Sequence, residues 1–193
     1  MNDEEKEVVK MGMEVALRPV TEIAENALGL LGGDWLSEVR ARNRAKLKEN
    51  TDDIMRRRGV KAEEIPSPAV AMPLLSAAQD ESRAELQDLW ARLLAAALDP
   101  RRSGAFRKEF IDLAKSFEPI DAVLLPMLRD STSYDPTRAV NFGTRLGVPT
   151  DHVLNSFGFL TGAGLAFETP GGNPKMFPQL TPKGRQFLAA ISD

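Results

Sequence analysis

Cysteine is absent from the 193 residues, and histidine and tyrosine occur once each. Without cysteine there is no disulfide, no thiolate metal site and no cysteine nucleophile. The absence fits a reducing compartment. With a single histidine, His152, a metal site would need carboxylates gathered around it, so His152 is expected to be an ordinary solvent-facing helix residue. Its neighbour Asp151 cannot orient it in a Ser-His-Asp relay, because consecutive helix residues point to different sides. Gly158, Gly162 and Gly164 cluster, but no strand–GxxxxGK[ST]–helix order surrounds them. Asp52-Asp53 and Glu63-Glu64 lie in polar stretches that would not raise a carboxylate for acid catalysis. No enzyme activity, metal or cofactor is therefore expected. No apolar run approaches the roughly 20 residues that span a bilayer. The opening MNDEEKEVVK lacks the basic-then-apolar order of a signal peptide. These absences lead to an expected cytoplasmic location.

What is present is ordinary globular material, 42% hydrophobic and 27% charged, with enough length for a sizeable core. The net charge of -3 is unevenly placed. Residues 1–37 carry a net of -5, residues 38–61 a net of +5, and residues 62–100 again -5. Residues 101–137 balance, and residues 138–193 reach +2. Only the second block is distinctly basic.

Residues 3–130 read as helical throughout. The first helix carries Val9, Met13, Ala16, Val20, Ile23, Ala27 and Leu30 at 4-3 spacing, close to a heptad seam. Pro19 interrupts it and Gly32-Gly33 ends it. Asp34 caps a second helix with the stripe Leu36, Val39, Asn43, Leu47, Asn50 and Ile54. The two asparagines are expected at the wet edge of that stripe, since polar side chains are seldom fully buried. Gly59 closes the helix after Arg56-Arg57-Arg58. Pro68 opens a helix over 69–78, and Asp80 is expected to cap the next, over 81–98, with Leu86, Leu89, Trp90, Leu93, Leu94 and Ala97 on one broad face. Further helices are expected over 106–117 and from Pro119 to about Arg129.

The last fifty-odd residues have the order of a helix-turn-helix with a β-hairpin wing. Arg138 to Leu146 is a short helix, Gly147-Val148-Pro149 a turn, and Thr150 to about Thr161 a second helix. Strand-like runs 165–169 and 176–180 flank Gly171-Gly172-Asn173-Pro174, and a last helix opens at Thr181-Pro182. The expected fold is mainly α. A helical hairpin and bundle occupies residues 1–117, and a winged-helix unit with a two-stranded hairpin occupies 118–193.

Three runs resemble one family: Glu85-Leu86-Gln87-Asp88-Leu89-Trp90-Ala91-Arg92-Leu93-Leu94, Glu118-Pro119-Ile120-Asp121-Ala122, and Leu180-Thr181-Pro182-Lys183-Gly184-Arg185-Gln186-Phe187-Leu188. The chain resembles the Abi-alpha family of bacterial proteins, linked with abortive infection, from about residue 14 onward. The resemblance implies a phage-defence context without a mechanism, and it transfers no catalytic or ligand residue.

Nucleic acid is the obvious partner of a winged helix, yet the second helix of the motif offers His152, Asn155, Ser156 and Phe159 outward, and no lysine or arginine lies between Asp151 and Glu168. Phosphate neutralisation supplies much of the affinity for DNA. Asn155 could read an adenine edge, with Arg138, Arg145 and Lys175 as backbone contacts. Arg40, Arg44 and Lys48, one helical turn apart, form a rival basic face, which is expected to be solvated or paired within the chain. A membrane is disfavoured by Glu22, Glu25 and Asp34 around the apolar segment 24–35. The expected protein is an interaction protein of phage defence with protein partners. It is expected to self-associate through Val9, Met13, Val20, Ile23, Leu36, Val39, Leu47 and Ile54.

Overall fold

The computed structural model describes residues 34–61, 66–129, 138–167 and 179–192. The first expected helix, with Val9, Met13, Val20 and Ile23, lies outside the described residues. The chain divides into two units at Arg42/Asn43. Of the first, the described part is the start of helix α1 (Asp34–Arg57), where Trp35 is exposed and Leu36 and Val39 are half-buried.

The second unit is mainly helical: the rest of α1, then α2 (Pro68–Gln79), α3 (Ala84–Leu98), α4 (Glu109–Lys115), α5 (Pro119–Met127), α6 (Arg138–Leu146), α7 (Thr150–Gly162), strands β1 (Ala166–Phe167) and β2 (Gln179–Leu180), and α8 (Pro182–Ile191). Helix α3 is its centre. Its broad apolar face was legible in the sequence, but the alanines Ala91, Ala95 and Ala96 are buried too, so the helix is covered on more than that face. Small side chains let neighbouring helices approach closely, and α2, α4, α5 and α8 all pack on α3. Phe187 of α8 meets Phe110 edge-on at 5.2 Å and Phe117 at 5.5 Å between ring centroids.

One core cluster runs from Leu47 to Ile191. The boundary expected near residue 117 is therefore not a division of the core. Leu47 and Ile54 sit inside this cluster, which corrects their assignment to a free self-association stripe. Asn43 is also corrected. It is 3% exposed, donates to the Gln79 carbonyl at 2.9 Å and to Ser82 Oγ at 3.2 Å, and accepts from Gln87 Nε2 at 3.2 Å. A buried amide is tolerable only when its donors and acceptor are matched, and Asn43 finds both on the α2–α3 connection and α3.

Two helix boundaries also move. Asp80 ends α2 and does not start α3; its N–H donates to the Ala77 carbonyl, and the Glu81 N–H to the Ala78 carbonyl, both at 3.3 Å. The Glu81 carboxylate takes the N–H groups of Ser82 and Arg83, and α3 begins only at Ala84. Burial works to raise the Glu81 carboxyl, but hydrogen bonds from Arg83 and its charge bring it below its ordinary value. The helix expected from Phe106 instead starts at Glu109, after a 3-10 turn over Ser103–Ala105. Fully buried Asp99 organises that turn: it accepts from Arg101 N at 3.0 Å and Arg101 Nε at 3.1 Å. Burial alone would raise the Asp99 carboxyl, but Arg101 and Arg102 hold it below its ordinary value.

The order from α5 to α8 is compatible with a winged helix. Gly147 takes φ 67° to turn α6 into α7, the left-handed conformation that favours glycine. Strands β1 and β2 pair antiparallel, Ala166 with Leu180 and Phe167 with Gln179. The described strands are shorter than expected, and residues 168–178, including the turn at 171–174, lie outside the described residues. Thr181 caps α8 by accepting from Gly184 N at 2.8 Å while its hydroxyl donates to the Gly164 carbonyl at 2.7 Å. A β-carbon on Gly184 would stand 1.8 Å from the Leu165 carbonyl oxygen. The Thr-Pro-Lys-Gly run thus serves as both a helix start and a point of contact with β1. Gly184→Ala is expected to destabilise the protein by on the order of 3 kcal/mol or more, because backbone has to move. Urea unfolding measures this, and an unchanged midpoint would contradict the packing.

Candidate partner-binding cleft

A cavity of about 710 Å³ opens between the start of α5 and one face of α7. Helix α5 is locked at its first turn. The Glu118 carboxylate accepts from the backbone of Asp121, the Asp121 carboxylate accepts from Glu118 N at 2.8 Å, and Pro119 supplies a preset first helical residue. Glu118, Asp121 and, from α3, Glu85 bring three carboxylates to the cleft. Ile120, Val123, Leu146, Val148 and Phe159 give it apolar walls. Phe159 is fixed from below by an edge-on contact with Phe117 at 5.6 Å. From α7 come His152, Asn155 and Ser156, on adjacent turns of one face.

Ser156 and Asp121 are both about 3% exposed, and the Ser156 hydroxyl donates to the Asp121 carboxylate. Burial raises the Asp121 carboxyl, and the repulsion of Glu118 adds to this; the hydrogen bonds from Ser156 and the Glu118 N–H offset it only in part. The pair ties α5 to α7 across the cleft floor. A serine whose proton is held by a buried carboxylate is placed to brace two helices. At the mouth, Glu118 is partnered by Arg83 at 2.7 Å between exposed groups, a contact worth at most about 1 kcal/mol. No lysine or arginine lines the cleft. Its acids and apolar walls suit a cationic group carried on an apolar body.

The structure separates the residues singled out in the sequence. His152 is exposed at the cleft, and no group of three or more potential metal-binding side chains occurs among the described residues. Asn155 is a cleft-wall residue. Arg145 is exposed at the end of α6; the Arg138 side chain and Lys175 lie outside the description. Arg40 belongs to the first unit and is half-buried, with a polar or charged partner. In the second unit, Arg44 donates to Gln79 Oε1 at 3.1 Å and Lys48 to Asp52 at 2.5 Å. Arg56 and Arg57 both pair with Asp53. Within the described residues, Lys48, Arg56 and Arg57 thus have carboxylate partners in their own helix. Sequence reasoning missed the cleft and the Asp121–Ser156 tie. Glu118-x-x-Asp121 was readable as a capping pattern, but nothing along the chain announced Ser156 as its partner.

A family model described as abortive infection alpha matches residues 42–171. The chain belongs to the abortive infection alpha family. The matched residues include every residue that lines the cleft, from Glu85 to Phe159, so the cleft lies within the part this abortive infection alpha protein shares with its family. The match is shorter than the resemblance read from about residue 14, and the closing run at 180–188 lies beyond it. No curated protein and no solved structure matches the chain. Among the described residues, no helix is long and apolar enough to cross a membrane.

Removal of the buried carboxylate tests the cleft floor. Asp121→Ala leaves Ser156 and the Glu118 N–H without their acceptor, and is expected to cost about 1–3 kcal/mol in urea unfolding. Asp121→Asn should cost less, because the serine hydroxyl can turn to accept. A raised carboxyl opposes folding once the unfolded chain ionises. The stability of wild type relative to Asp121→Asn should therefore fall as pH rises through 3.8, and level off above the raised folded value. A difference that grows with pH would show the carboxyl to be lowered.

Proposed function

We propose that the protein is a non-enzymatic interaction component of bacterial abortive infection, acting in the cytoplasm through self-association and protein partners. Family membership supplies the context. The observation that carries the protein-binding reading is the outward side of the helix-turn-helix. Val140 on α6 and Leu154 on α7 are exposed at 53% and 49%, beside exposed Asp151 and Asn155, and α7 has no lysine or arginine. The α7 face lacks the cations that neutralise phosphates, α6 adds exposed Arg145, and the two helices offer apolar area instead. The neighbouring cleft, with carboxylates and apolar walls, favours a partner that presents a lysine or arginine among apolar side chains.

A DNA reader is the competing reading, and filter binding across a salt series decides between them. Each phosphate contact contributes a slope of roughly 0.9 in log affinity against log salt. We expect weak, shallow binding to duplex DNA. Tight binding with a steep slope that is lost in Arg145→Gln would overturn the reading.

Self-association rests on the near-heptad spacing of Val9, Met13, Val20 and Ile23, and on Met72 and Leu75 of α2, exposed at 66% and 39%. Equilibrium sedimentation at micromolar concentration should find a dimer or larger species. Met72→Glu should weaken it without altering the unfolding midpoint, and a strict monomer would refute self-association.

A further inference from the structure

A second cavity of about 530 Å³ lies beside β2 and α8, and its chemistry is the reverse of the cleft's. Arg102, Arg129 and Arg185 line it, and no carboxylate among the described residues does. Each guanidinium is anchored mainly by neutral groups. Arg102 donates to the carbonyls of Ala189 at 3.0 Å and Ser192 at 2.7 Å, Arg129 to Ser192 Oγ, and Arg185 to the Leu180 carbonyl at 2.8 Å.

The modest explanation is that Arg102 and Arg129 complement the carboxyl end of α8, where Arg58 and Arg92 also donate to the Ser192 and Ile191 carbonyls. A helix end carries only about half a negative charge. Arg102 also has Asp99 at 3.6 Å, but Asp99 is held more closely by Arg101. Arg129 and Arg185 have no carboxylate partner among the described residues, and a guanidinium has five N–H donors, of which these anchors use few. Leu128, Leu180 and Leu188 complete the lining with apolar surface.

We propose that this pocket binds a phosphomonoester of nucleotide size. The planar forks of the arginines match phosphate oxygens, the aliphatic part of the lining receives the organic body, and the volume is in the range of small-ligand sites. The site is independent of the α7 surface and of any partner bound there. A cavity of this size takes a free small molecule whole.

Titration calorimetry on the intact protein tests this with adenosine 5′-monophosphate, inorganic phosphate and adenosine as probes. The monophosphate should bind saturably with a Kd below about 1 mM, inorganic phosphate more weakly, and adenosine not measurably. Arg129→Gln and Arg185→Gln should each weaken monophosphate binding roughly tenfold while the unfolding midpoint holds. Should one variant fail to fold, the other decides. Absence of saturable binding, binding that survives both substitutions, or adenosine binding as well as its phosphate would overturn the proposal. So would duplex DNA engaging these arginines while the monophosphate does not. Binding that emerges only in Asp193→Ala would assign the guanidinium groups to the chain's own carboxylate and would overturn it too.

Discussion

Burial of α3 is the constraint around which the second unit is arranged. A helix that hides Leu86, Leu89, Trp90 and Leu93 on one side could lie on a bundle surface. One that also hides Ala91, Ala95 and Ala96 cannot, because these positions wrap around the helix. Neighbours must then be recruited from both directions along the chain, and α2 and α4 are joined by α5 and α8 from the far end. Helix α8 is thereby drawn into the same core as the helices that precede α6, with Phe187 seated between Phe110 and Phe117.

Polar ties set the register of that packing. Asn43–Gln87 and Asp121–Ser156 each place a buried polar group against a partner on another element. Burying such groups costs free energy unless every donor and acceptor is met, so each tie penalises a shifted arrangement more than it stabilises the native one. The Asp121–Ser156 tie has a further consequence. It fixes the distance between α5 and α7, and so the width of the cleft they line.

Charge in the second unit is sorted by cavity, not by stretch of sequence. The cleft gathers Glu85, Glu118 and Asp121 from helices α3 and α5, while the pocket beside β2 gathers Arg102, Arg129 and Arg185 from three separate places. In the basic run 38–61, the most conspicuous charge feature along the chain, Lys48, Arg56 and Arg57 pair with Asp52 and Asp53 of their own helix. Exposed pairs one turn apart contribute little to stability and leave a mixed surface.

The sequence by itself determined the helical class, the bounds of α6, the glycine turn into α7 and the Thr-Pro start of α8. These depend on local causes: periodicity, capping chemistry and the left-handed freedom of Gly147. It also determined that α7 would carry no cation, because that is a matter of composition alone. Only the tertiary structure decided that Asn43 is buried, that Leu47 and Ile54 belong to the core, and that Ser156 faces Asp121. It alone gathered the three arginines around one cavity. Each of these joins residues tens of positions apart, and a one-dimensional pattern records which face of an element is apolar but not which element will cover it.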